Sequence, residues 1–340
     1  MQVLFICCDM GETNALLPVM QEMQVNKVDF KVLAMGAAIS KLQSQAALKD
    51  RVIELQEKVD TIKERAKPLA DVAAAVGKLE AVVVISGPAS KAQEQITQAI
   101  PAKKKIVYLD NFNYATTNPA FETVRDVTKV AQKAICVTQV VKEQVLATQK
   151  GTLKAKDIKC LGRPSLESWV AQVQQVNRSE ALQKTGFKDD RKVVTFIGGY
   201  GPRYDQGVFK AFDEASHELA RAGFHVHVQH HPNAVKEQPL STIEAVGVAD
   251  WVVCYDSTVG FEALFANKNV VYLQPKTVEP YDNIAIEKKL APRVHTSQEL
   301  LEVLKTPIDA KPDVYQVLGV ERKSTQAITQ YILKKLQKSQ

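Results

Sequence analysis

Apolar residues fall along this chain in two textures: short unbroken runs and stripes at helical spacing. Val3–Cys8, Phe30–Met35, Ala81–Ile85, Lys105–Leu109, Ala134–Val137 and Ile158–Leu161 are runs of the first kind, each followed by a polar turn and a helical stripe. Unbroken apolar runs of this length suit strands covered on both faces, and their alternation with helices predicts parallel sheets of doubly wound type. After a polar, helix-prone stretch the pattern restarts at Lys192–Ile197 and continues through Phe224–Gln229, Trp251–Cys254 and Val270–Leu273. Helices are expected near 284–290, 297–305 and 321–338. The pattern predicts two Rossmann-like domains, at 1–165 and 191–320, joined by a linker at 166–190 and followed by a C-terminal helix at 321–340.

Residues 48–66 stand apart. Leu48, Val52, Leu55, Val59, Ile62 and Ala66 recur at alternating spacings of four and three, which predicts a long amphipathic helix. Such a helix packs on its own domain or serves as the seam of a homodimer. The C-terminal stripe Ile328, Ile332, Leu333 and Leu336 runs beside Lys334, Lys335 and Lys338. It is expected to dock on the N-terminal domain; weak contact with an anionic membrane surface is the alternative.

With 340 residues, 45% of them apolar and 24% charged, the chain has the composition of a globular protein of two ordinary domains. No apolar run is long enough to span a bilayer, and Met1–Asp9 reads as a first strand rather than a signal peptide. Five cysteines in or beside apolar runs, without a C-x-x-C pair, suit a reducing cytoplasm. The net charge of +6 is concentrated at Lys103–Lys105 and in the tail, without interleaved aromatics, so nucleic acid is not an expected partner.

Candidate chemistry sits in the turns. Asp256, Ser257 and Thr258 begin a helix directly after the run Trp251–Cys254, so free backbone N–H groups, two hydroxyls and the positive end of the helix dipole face one point. Ser257, Thr258, Val259 and Gly260 are therefore candidates for binding phosphate, with Gly260 allowing close approach. An ordinary capped helix would look the same. Gly198, Gly199 and Gly201 follow another strand and would turn backbone amides toward a ligand. His225, His227, His230 and His231 lack accompanying carboxylates or cysteines at ligand spacing, so no metal site is read from them. His231, before Pro232 and Asn233, is placed to donate to a phosphate or a leaving-group oxygen. Glu262, in the first turn of the phosphate helix, could accept from ribose hydroxyls. Asp9, Glu12 and Asp110 end strands of the first half and are candidates for deprotonating an acceptor hydroxyl; each could equally cap a helix.

The combination of two Rossmann-like halves, Leu161-Gly-Arg-Pro164, the glycine-rich turn at 198, His231-Pro-Asn233 and Asp256-Ser-Thr-Val-Gly-Phe-Glu-Ala-Leu264 resembles GT-B-fold enzymes. The similarity is to sugar-nucleotide glycosyltransferases of the lipid A disaccharide synthase and capsular-polysaccharide type, and to UDP-N-acetylglucosamine 2-epimerase. The resemblance implies two domains facing a central cleft. It puts the donor diphosphate at Ser257–Gly260, a ribose contact at Glu262 and a functional histidine in the loop His230–Val235. It also implies a final helix crossing back to the first domain. The epimerase's N-terminal Gly-Thr-Arg-Pro-Glu turn is here Asp9-Met-Gly-Glu-Thr13, without the arginine, which points away from epimerisation. The expected activity is metal-independent and needs no cofactor. It transfers a sugar from a nucleoside-diphosphate donor, UDP-linked, to a glycan or lipid-linked acceptor, with Glu12 or Asp9 as base. A UDP-sugar 2-epimerase and a degenerate GT-B scaffold acting as an interaction protein are the alternatives.

Overall fold

The computed structural model describes residues 1–55, 59, 62–114, 120–148, 153–199, 204–231, 234–235, 237–278, 283–306 and 311–338. The chain forms two compact units, one of Met1–Glu167 with Leu318–Gln340, the other of Ser168–Val317. Among the described residues no helix is long and apolar enough to cross a membrane.

The first unit holds seven strands: β1 (Val3–Cys7), β2 (Phe30–Ala34), β3 (Val52–Glu54), β4 (Ala81–Ser86), β5 (Ala102–Leu109), β6 (Lys133–Cys136) and β7 (Ile158–Cys160). Their order is β3-β2-β1-β4-β5-β6-β7, with every pairing parallel. All five residues of β1 are buried, because helices cover both faces of the sheet. On one face Leu4, Ile6 and Val84 pack with Ala92 and Ile96 of helix Lys91–Ala99. Toward the sheet's other edge, Val107, Leu109, Ala134 and Cys136 pack with Val124 and Val127. Against helix Met10–Val25 lies the C-terminal helix Ser324–Gln337, with Ile328, Ile332 and Leu336 buried. The apolar stripe of the tail is thus used in docking on protein. Gly162 makes that docking close: its φ is +77°, and a Cβ there would lie 2.1 Å from Ser324 Oγ.

The helix expected over 48–66 is not formed. Ala46–Arg51 is a 3-10 helix, Val52–Glu54 is the edge strand β3, and an α-helical turn begins only at Ile62. Residues 56–58, 60 and 61 lie outside the described residues. A homodimer through such a helix loses the element it needed.

The second unit has five strands: β8 (Val193–Ile197), β9 (His225–Gln229), β10 (Trp251–Cys254), β11 (Asn269–Leu273) and β12 (Arg293–Val294). Their order is β12-β11-β10-β8-β9, again all parallel. The chain leaves β8 for one neighbour, β9, and later returns to its other side as β10. Connections that diverge in this way open a crevice outside the carboxyl ends of the two strands, here β8 and β10. The same reversal occurs between β1 and β4 in the first unit.

Candidate functional site

Each unit gathers its polar candidates at its own switch point. In the second unit a cavity of about 430 Å³ opens at the ends of β8, β9 and β10. Gly198, Gly199, His231, Ser257, Thr258 and Val259 all line it, joined by Tyr204 and Asp256. Ser257 caps helix Thr258–Phe265: its Oγ accepts from Val259 N at 3.3 Å, leaving the hydroxyl proton to donate. Thr258 is exposed beside it, in the first turn where the helix dipole is felt. Burial lowers the pKa of His231, so near neutral pH the ring acts by hydrogen bonding rather than by charge. Pro232, Asn233, Gly201 and Pro202, which belong to the sequence motifs, lie outside the described residues.

The glycines prove to have different tasks. Gly198 N donates to Gln229 O at 2.8 Å, extending the ladder between β8 and β9 by one bond. Gly199 makes room for an aromatic ring: a Cβ there would sit 1.9 Å from the ring of Tyr204. Tyr204 is buried and donates its hydroxyl to Asp256 Oδ1 at 2.6 Å, tying the turn after β8 to the turn after β10. Gly260 does not face the cavity. A Cβ on it would lie 2.7 Å from the hydroxyl of Tyr272 and 3.2 Å from Cys254 Sγ, so it serves close packing of helix on sheet rather than approach of a ligand. Glu262, one turn along, is buried and outside the cavity lining. Of the other three histidines of the run, His230 also lines the cavity and two are structural: His225 Nε2 lies 2.6 Å from Asp189 Oδ1, and His227 pairs with Gln229 at 3.0 Å.

In the first unit Asp9, Glu12 and Asp110 converge beyond β1, β4 and β5. Glu12 is 1% exposed. Its Oε1 accepts from Cys8 N, from Asp9 N at 3.3 Å and from Gln93 Nε2 at 2.7 Å. Asp9 Oδ1 accepts from Glu12 N at 2.9 Å in return, completing a capping box. A Cβ on Gly87 would lie 1.5 Å from Glu12 Oε2, so glycine there gives the carboxyl its space. Burial, then the charges of Asp9 and Asp110, push the Glu12 pKa well up. Glu12 is therefore not placed as the expected base: its carboxyl is enclosed, and its Oε1 is committed to holding the turn. Asp9 and Asp110 are more open. Arg65 stands 3.6 Å from Asp9 Oδ2, and Tyr114 donates to Asp110 Oδ1 at 3.4 Å.

Burial and the neighbouring Asp9 raise Asp110 to a pKa of about 6. A carboxyl raised on folding favours the native state while protonated, and that contribution is lost as pH rises from about 4 to about 6. Asp110→Asn is accordingly expected to be more stable than the parent at neutral pH by up to roughly 3 kcal/mol, with the difference vanishing near pH 4. Urea unfolding of both proteins across this range measures it; a variant less stable at neutral pH would contradict the assigned cost of the charge.

No protein-family model and no curated protein sequence matches this chain. Solved structures do. UDP-GlcNAc 2-epimerase from Neisseria meningitidis, bound to UDP-GlcNAc, superposes with a TM-score of 0.68 at 17% identity, over 98% of this chain and 100% of that one. The Methanocaldococcus jannaschii UDP-GlcNAc 2-epimerase gives 0.72 at 11% identity, with the same coverages. The wall teichoic acid polymerase TagF gives 0.60 at 11%, over 99% of this chain and 89% of that one. The chain has the GT-B-type fold of two Rossmann-like domains that these structures share.

Proposed function

We propose that this chain is a sugar-nucleotide enzyme that moves a sugar from a nucleoside-diphosphate donor to an acceptor hydroxyl. The observation that carries the reading is the cavity at the β8/β10 switch point. It combines a helix start, the hydroxyls of Ser257 and Thr258, and the ring of His231. Helix starts with added hydroxyl donors suit a diphosphate. The fold is also that of enzymes solved with UDP-GlcNAc or UDP. In the transfer, the bond from sugar C1 to the diphosphate oxygen breaks with its electron pair leaving on oxygen. The acceptor oxygen bonds to C1 and gives up its proton. The charge growing on the diphosphate is met by the helix dipole, the two hydroxyls and His231, and stabilisation of this kind is the main catalytic term. Asp9 and Asp110, rather than the enclosed Glu12, are assigned to take the proton. Glu262 is assigned a supporting role within its helix, not ribose contact.

A second reading, 2-epimerisation of a UDP-sugar, is favoured by the full-length overlap with the two epimerases. It needs no acceptor and exchanges the proton at C2 with solvent. Incubation of the protein with UDP-GlcNAc in deuterium oxide, with and without a mixture of glycan and lipid-linked acceptors, separates the two. Transfer predicts nucleotide release that depends on acceptor and leaves C2 unlabelled. Deuterium at C2 without acceptor would replace transfer by epimerisation.

A further inference from the structure

The two basic runs of the sequence, Lys103–Lys105 and Lys334–Lys338, are more than 220 residues apart, yet the first unit brings Lys104 of the first and Lys335 and Lys338 of the second to one face. Register shows how. Ile106 of β5 pairs with Lys133 of β6, and Ile135 of β6 pairs with Lys159 of β7. Side chains alternate along a strand, so Lys104, Lys133 and Lys159 point from three adjacent strands to the same side of the sheet. Lys105 points to the other side and donates to Gln98 O at 2.7 Å. The side shared by the three lysines is the one on which the C-terminal helix lies, and the end of that helix adds Lys335 and Lys338. Their proximity is direct: after burial, the charges of Lys133, Lys338, Lys104 and Lys159 all depress the Lys335 ammonium. Lys335 Nζ rests 4.8 Å from the centroid of the Tyr331 ring. Asp157 pairs with Lys133 and offsets one of the five charges.

We propose that this face of the first unit docks on an anionic phospholipid surface. The five cations are all lysines, mobile point charges on long stems, without the planar forks of arginine that recognise individual phosphates. Tyr331 is partly covered by Lys335 and offers no open ring for stacking on bases. Such a face gains most from a broad, fluid sheet of negative charge, where each lysine near the leaflet acts almost independently. The apolar stripe of the C-terminal helix is buried in the protein, so the attachment is electrostatic and reversible, without insertion.

The test is flotation of the full-length protein with phosphatidylcholine vesicles, with and without phosphatidylserine, at low and high salt. Binding is expected only with phosphatidylserine and only at low salt. Lys104→Gln/Lys159→Gln/Lys335→Gln should weaken it about a hundredfold, at roughly fivefold per lysine. Replacing Lys188, Lys210 and Lys276 of the second unit by glutamine removes the same net charge and should leave binding unchanged. Circular dichroism establishes that both variants are folded. Lack of binding to phosphatidylserine vesicles, or equal loss in the two variants, would overturn the proposal. So would binding to RNA or heparin that is stronger than binding to vesicles.

Discussion

Truncating the chain before Ser324 is expected to unfold the first unit outright. The helix removed, Ser324–Gln337, buries Ile328, Ile332 and Leu336 against the unit. Burial of three such side chains contributes roughly 5–9 kcal/mol, at about 1.5–3 kcal/mol each, which is comparable with the whole stability of an ordinary domain at about 5–15 kcal/mol. The loss also uncovers the side of helix Met10–Val25 that the tail packs on, and the space beside Gly162 that Ser324 fills. Loss of the first unit's cooperative thermal transition, or recovery of the truncated chain only as aggregate, is the predicted result. A soluble truncation melting within a few degrees of the parent would show that the tail is an appendage rather than part of the core.

The dependence of an N-terminal unit on its C-terminal helix was legible in outline, because Ile328, Ile332 and Leu336 stand at helical spacing. The central strands were legible for a related reason. Runs such as Val3–Cys7 and Trp251–Cys254 are covered on both faces, and nothing but a buried strand or helix core tolerates such sequences. The edges were not. β3 is three residues long and β12 two, too short for a period to be read, and the residues around β3 fit a four-three spacing that the fold does not use for one helix. Helix Thr242–Val248 also escaped the reading, although Ser241 and Glu244 form a capping box whose spacing was there to be seen.

In the candidate site, the elements that present side chains could be read, but what each residue touches could not. Ser257 and Thr258 follow a strand and start a helix, a local fact. The bond from Tyr204 to Asp256 joins residues 52 apart, and the demand it places on Gly199 appears only once the ring is in place. Gly260 and Gly199 look alike in sequence, yet one packs on Tyr272 and the other accommodates Tyr204. Glu12 carried the right charge at the right turn, but the donors of Cys8, Asp9 and Gln93 converge on it and turn a candidate base into a cap. Convergence of the lysines depends on strand register across β5, β6 and β7, which no local pattern encodes.

The second large effect concerns the proposed phosphate site. Ser257→Ala combined with Thr258→Val removes both hydroxyl donors from the cavity while keeping its shape. Hydrogen bonds to charged groups contribute about 1.5–3 kcal/mol each, and every 1.4 kcal/mol is a factor of ten, so losing both gives a drop of roughly 100–10,000-fold in nucleoside-diphosphate affinity. Because Ser257 also caps its helix, part of any loss could reflect a loosened turn. Ser257→Asp separates the two effects: aspartate caps a helix start as well as serine does, yet its charge repels a phosphate. Calorimetric titration of the parent and both variants with UDP, CDP, GDP and CMP is the most direct test of the site. The account predicts that the parent binds at least one nucleoside diphosphate, that the double variant binds it roughly 100–10,000-fold more weakly, and that Ser257→Asp keeps the parent's stability but not its binding. Absence of heat with every nucleotide on the parent, or the same affinity in all three proteins, would contradict it.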